Sequence, residues 1–192
     1  AIENLNKKKN LNKNKKEKIN LLAAIFDEHS VNILSFHRLA KFKNFNQQKI
    51  IQALKKKFKL EKKLKFKNPC DPGSVMIYLN KTWYNVSLTS NKKLYTKYET
   101  DTDIVEKIMI NSIIKKQCNC SLVNLSNIPG KFDHKKLANE VDKGLADIGF
   151  FICPLPMKKI MSIADKGKIV PEKSTYFDPK PADGLVNLLM DI

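Results

Sequence analysis

Four side chains in one proline-bounded stretch carry the densest chemistry of this chain. Between Ile169 and Gly184, Lys173, Ser174, Thr175 and Lys180 supply two ammonium groups and two hydroxyls, hemmed by Pro171, Pro179 and Pro181. Ammonium groups bring charge, hydroxyls and loop amides bring directed hydrogen bonds, and together they can hold an anion such as phosphate. The glycine spacing of a Walker loop is absent upstream. A connection this long inside a folded region is more often functional than a short one; taken alone, a structural clasp is the commoner fate of such a loop and anion binding the sharper reading.

Arg38 joins the candidate set. It is the one Arg among 36 basic residues. The chain also holds 19 Asn, and Lys and Asn share AT-rich codons, so a surviving Arg can mark a place where a planar two-pronged donor is wanted. Chance survival at a surface site is the competing explanation. The formal net charge is +17, of which residues 1–68 carry +14 and residues 69–192 only +3. Such a charge attracts polyanions whatever its biological use. Bases and phosphates are gripped best by Arg, however, and base bias accounts for much of the Lys. A basic nucleic-acid-binding module in residues 1–67 is therefore an alternative function, and specific nucleic-acid recognition is not expected.

The remaining reactive residues point to less. Cys118 and Cys120 form a Cys-x-Cys pair, Cys70 and Cys153 stand apart, and the three His (His29, His37, His134) are not adjacent. Structural zinc usually wants wider gaps and a second ligand pair, so free thiols in a reducing cytoplasm are expected, with no metal site and no nominated catalytic residue. No apolar run approaches the ~18–20 residues of a membrane span, and the N-terminus lacks a secretory pattern. A cytoplasmic protein is the expectation.

The elements that must position these residues follow from periodicity. Residues 1–18, rich in Lys and Asn, read as a disordered basic leader. Ile19 to Phe26 and Val31 to Phe36 read as two strands of a hairpin. Asn46 caps a helix through Ile50, Ile51, Leu54 and Phe58, and Leu60 to Phe66 reads as a short edge strand. Val75 to Leu79 and Thr82 to Leu88 form a second hairpin around Asn80-Lys81. Asp101 or Thr102 caps a helix to about Lys116, with Ile104, Val105, Ile108, Met109, Ser112 and Ile113 along one side. Then come a strand Ser121–Leu125, a helix from Asp133 to Gly144, a buried strand Ile148–Ile152, a helix opened by Pro156 and stopped by Gly167, and a strand Leu185–Met190. The fold class is α+β: N-terminal β-hairpins with a helix (19–98), then a C-terminal β-α-β-α-β region (99–192) forming a mixed sheet with helices packed on it.

The run Pro171-Glu172-Lys173-Ser174-Thr175-Tyr176-Phe177-Asp178-Pro179-Lys180, closing on Gly184-Leu185-Val186, resembles the C-terminal signature of domain-of-unknown-function family 1015 of bacteria and archaea. Asp147–Phe151, Pro154 and Ile160–Gly167 resemble that family's approach to the signature. Ile33–Leu39, with its His37-Arg38 pair, and Ile77-Tyr78-Leu79 with Lys81–Tyr84 are similar to its earlier strands. Family members carry a further N-terminal half with an Asp-Gly-His-His-Arg motif similar to one in ParB-like proteins, some of which phosphorylate free serine. That motif is absent here, and the chain begins with Ala. The resemblance thus implies the C-terminal portion of a small-molecule kinase-like protein, with free serine as the candidate substrate. It would contribute an anion-binding loop (Lys173, Ser174, Thr175, Lys180, Arg38) and be partnered by an upstream half, with ATP or ADP and Mg entering only through the full-length family. A structural or vestigial fragment without activity of its own is the remaining alternative.

Overall fold

Short segments of alternating β-branched and aromatic residues, broken by Asn, Gly and Pro, dictate a sheet-based architecture, and capped amphipathic stretches between them add helices. The computed structural model describes residues 23, 25–27, 30–68 and 71–180. They belong to two units, one formed by Asn32–Asp178 and the other by residues 1–31 with 179–192. The described residues of the second unit carry no helix or strand. The predicted leader 1–18, most of the predicted strand Ile19–Phe26, the predicted strand Leu185–Met190 and Cys70 lie outside the described residues.

Within Asn32–Asp178 the strands are β1 (Asn32–Leu34), β2 (Phe36–Lys43), β3 (Lys59–Lys63), β4 (Ser74–Leu79), β5 (Thr82–Ser87), β6 (Ser121–Pro129), β7 (Ile148–Ile152) and β8 (Tyr176–Asp178). The helices are α1 (Gln47–Lys55), α2 (Lys92–Tyr95), the short turn α3 (Asp101–Asp103) running into the π-wound α4 (Ile104–Gln117), α5 (His134–Asp142) and α6 (Met157–Asp165). Six strands form one sheet in the order β3-β5-β4-β7-β2-β6, and β1 pairs with β8 in a second sheet. Every described pairing is antiparallel, which corrects the expected mixed sheet. The reason is placement. β7 inserts between β2 and β4, and β6 pairs on the far side of β2, so no strand–helix–strand crossover joins parallel neighbours.

Helices cover both faces of the six-stranded sheet. Ala40, Val75, Ile77 and Phe150 pack on Ile50 and Leu54 of α1 and on Ile104, Met109 and Ile113 of α4. Leu39, Met76, Trp83 and Phe151 meet Leu137 and Val141 of α5 on the other face. Each large aliphatic side chain removed from water contributes roughly 1.5–3 kcal/mol. Gly149 sits in β7 because a Cβ there would lie 2.3 Å from Leu137 Cδ2, so its absence lets α5 press on the sheet. The Asn80-Lys81 turn has φ of 45° and 55°, the left-handed pair that a two-residue hairpin demands.

Two elements differ from their sequence reading in instructive ways. In α4 the buried side chains are the adjacent pairs Ile104/Val105, Met109/Ile110 and Ile113/Ile114, so Ile110 and Ile114 belong to the core and Ile108 and Ser112 are only half-buried. Pairs spaced five and then four residues apart fit a helix wound wider than the α-form, and the Cys118 amide donates to Ile113 O across five residues. The long connection 169–184 is also interrupted, because Tyr176–Asp178 forms β8 against β1.

Candidate functional site

Arg38 projects from β2 and is fully buried, 1% exposed. Its Nε donates to Glu106 Oε1 of α4 at 2.7 Å. Its Nη1 donates to Phe36 O (3.1 Å) and Lys173 O (2.9 Å), and Nη2 donates to Glu172 O (3.0 Å). A planar fork is indeed used here, but its partners are main-chain carbonyls and one carboxylate. Arg38 thus anchors the segment Pro171–Thr175 from beneath.

The segment is fixed a second time from within, where Ser174 Oγ donates to Pro171 O at 2.6 Å. Lys173 takes a left-handed backbone (φ 52°) and holds its ammonium 5.6 Å above the Phe36 ring. Its side chain is otherwise exposed, Ser174 is buried and Thr175 is half-buried. These three sequence-predicted residues are together on one pinned segment. Lys180 belongs to the other unit.

Beside Ser174 opens a cleft of about 230 Å³, whose polar wall includes Tyr95, Thr100, Asp101, Thr102 and Lys159. Asp101, buried, accepts a 2.7 Å hydrogen bond on Oδ2 from the Gly73 amide and another from the Tyr95 hydroxyl. Burial pushes its carboxyl up to about 6 despite those two donors. Among the described residues no Lys or Arg forms an ion pair with it. Tyr95 is pushed up in turn, by burial first and then by Asp101 and Cys153. Glu99, at the same cleft, is bonded by Lys168 (2.6 Å) and Lys159 (3.1 Å), which hold its carboxyl down at about 2.

Sequence reasoning missed Asp101 as a site residue because it took this Asp, or Thr102, for the helix cap. The cap is Thr100: it accepts from the Asp103 amide (3.1 Å) while its hydroxyl donates to Asp103 Oδ2 (2.8 Å). The Thr-x-x-Asp spacing of a capping box was the available signal, and it leaves Asp101 with a side chain to spend elsewhere.

On the opposite face of β2, His37 is buried against Phe151, with ring centroids 3.7 Å apart. Its Nδ1 accepts from the Ile152 amide, so the proton sits on Nε2, which has no partner among the described residues. Burial first, and the Arg38 charge second, hold the imidazole down at about 3. A folded-state value below the unfolded one means that its contribution is present above about pH 6.5 and is lost as pH falls toward 3. Asp101 has the reverse sign. Its contribution is fully present below about pH 4 and is lost as pH rises through 6. From pH 6.5 to 4 the two slopes oppose one another. Asp101→Asn removes the rising arm, so on acidification from pH 7 to 4 the variant loses about 2 kcal/mol more stability than the wild type in urea melts. Parallel pH profiles for the two proteins would contradict the assignment.

The Lys cluster from the end of α1 to the start of β3 (Lys55, Lys56, Lys57, Lys59) is exposed, as a solvated surface is. Cys118 and Cys120 are buried, with Cys120 Sγ directed to Asn44 O. Among the described residues no helix is long and apolar enough to cross a membrane.

The family model described as a protein of unknown function (DUF1015) matches residues 1–111. The chain belongs to this family. The matched stretch includes Arg38, Glu106 and Asp101 and ends before the Pro171–Lys180 segment. No curated protein matches the chain. Solved structures similar to it include a conserved hypothetical protein from Pyrococcus furiosus, at 15% identity and a TM-score of 0.47, covering 79% of this chain and 57% of that one. Another is a free serine kinase in complex with AMP, at 14% identity and a TM-score of 0.44, covering 78% of this chain and 55% of that one. The chain spans little more than half the length of the structures it matches.

Proposed function

We propose that this DUF1015 chain is the ligand-holding portion of a small-molecule phosphotransfer protein, in which the Pro171–Thr175 segment closes one side of the substrate cleft. The observation that carries the reading is the junction of that segment with the cleft. Ser174 lines the same cavity as Thr100, Asp101 and Thr102, and the backbone around it is fixed by Arg38. Phosphoryl transfer depends chiefly on positioning and charge, so a pinned loop with an exposed Lys is useful chemistry for it. Lys173 and Thr175 face the anion in this reading and Arg38 is a positioning residue; Lys180 and an upstream half of a split protein remain proposed contributors. The nucleic-acid alternative is not favoured, because specific recognition leans on Arg and the one Arg of the chain is buried against Glu106 and main-chain carbonyls.

Thermal shift of the full chain with O-phosphoserine, serine and ADP tests the reading. At least one of these raises the melting temperature, and Ser174→Ala abolishes the rise. Lack of stabilisation by all three at millimolar concentration rules the reading out. Lys173→Gly separates binding from folding. It relieves the left-handed backbone, worth about 1–2 kcal/mol, against about 0.4–1 kcal/mol of added freedom in the unfolded chain, so stability does not fall, while the anion is weakened several-fold. A variant that is both less stable and equally good at binding would reverse the assignment of Lys173.

A further inference from the structure

We propose that the cleft is a subsite for an organic ammonium group, with Asp101 as its counter-charge; this rests on the reading that the cleft holds the small molecule. The chain carries 36 basic residues, yet its cleft contains a buried carboxylate that none of them neutralises among the described residues. The lysines close in sequence or space are committed elsewhere. Lys159 and Lys168 bind Glu99, and Lys107 binds Asp103 at 2.6 Å. A buried carboxylate without a counter-charge is costly, and a cation arriving with a ligand would offset that cost.

The geometry narrows that cation. A divalent metal wants several hard ligands, and among the described residues no group of three or more His, Cys, Asp or Glu is arranged to hold one. An ammonium needs only acceptors. The Asp101 carboxylate offers about four lone-pair sites and spends two on Gly73 and Tyr95. The wall also contains Pro72, Leu155 and Pro156, so the charge pair forms against apolar surface rather than in bulk water. With about 230 Å³ available, the occupant is a compound of a few heavy atoms, not a nucleotide. Glu99 at the wall is held by Lys159 and Lys168, so of the two carboxylates lining the cleft Asp101 is the one without a Lys partner among the described residues.

Calorimetric titration of the full chain tests this with ethanolamine, which carries an ammonium and a hydroxyl, against ethylene glycol, which carries hydroxyls alone. Ethanolamine binds at least about tenfold tighter at pH 7.5, and its affinity falls about tenfold by pH 5 as Asp101 takes a proton. The other titratable groups at the cleft are Tyr95, Cys153, Glu99 and Lys159, and of these Glu99 stays ionised across that range. Asp101→Asn loses the ethanolamine preference; should that variant not fold, the wild-type pH series decides. Equal affinity for the two probes, or binding flat with pH, overturns the subsite. Stabilisation by O-phosphoserine without any ethanolamine preference overturns the subsite and leaves the phosphotransfer reading standing. Silence with every probe overturns both.

Discussion

Replacing Arg38 with alanine lowers the unfolding free energy by about 3–5 kcal/mol, the cost of breaking a buried charge network by removing one partner. The guanidinium serves four acceptors at once: Glu106 and the carbonyls of Phe36, Glu172 and Lys173. Alanine leaves all four without their donor and opens a cavity at the sheet. Arg38→Lys restores the charge but not the fork, so it recovers less than half of the loss. Urea unfolding followed by Trp83 fluorescence gives the energies, and limited trypsin digestion gives the locality. Cleavage after Lys173 accelerates in both variants, since two of the lost bonds hold that segment. A loss under about 1 kcal/mol would mean that the network is not what fixes Arg38.

Gly73→Ala costs about 2–4 kcal/mol by two separable routes. Gly73 has φ +97°, a region that L side chains rarely adopt, and a Cβ there would lie 2.6 Å from Thr89 Cγ2. Thr89→Ser deletes the offending methyl, so the double variant recovers the steric share and keeps the backbone share. The same glycine donates its amide to Asp101, so any backbone shift moves that carboxylate. Gly73→Ala therefore also weakens whatever the cleft binds, and a variant that loses stability while keeping full ligand affinity would separate the two. Denaturation midpoints and the ethanolamine titration read the two effects on one sample.

Much of the local structure was legible because its signals are short-range. Asn46 caps α1 through the Lys49 amide, Asp133 caps α5 through the Lys135 and Lys136 amides, and β7 spans Ile148–Ile152 as predicted. The β4–β5 hairpin announced itself by alternation around Asn80-Lys81. What was not legible needs the third dimension. No local pattern says that β7 lies between β2 and β4, or that Tyr176–Asp178 finds β1 some 140 positions earlier. The wide winding of α4 was hidden because its apolar pairs can be forced, imperfectly, onto a 3.6-residue template. At the site, composition drew attention to Arg38 as the one Arg, and the structure gives its fork Glu106 and three carbonyls as partners. Its partners could not be read, because carbonyls leave no trace in a sequence. Asp101 was invisible for the opposite reason, since an Asp near a helix start already has a common explanation.

The position of β7 has a consequence for how the chain acquires its shape during synthesis. β2 and β4 leave the ribosome early, but neither can contact the other directly, and the strand that joins them ends only at Ile152. Until then the nascent protein exposes two unfinished edges and an apolar surface. Sequence-distant pairing of this kind is intrinsically slow. The charges of β3 protect one border of the sheet in that interval, whereas β6, Ser121–Pro129, contains none. Chaperone dependence and clumping at high expression are thus properties expected of the translation intermediate, independent of how stable the finished molecule is.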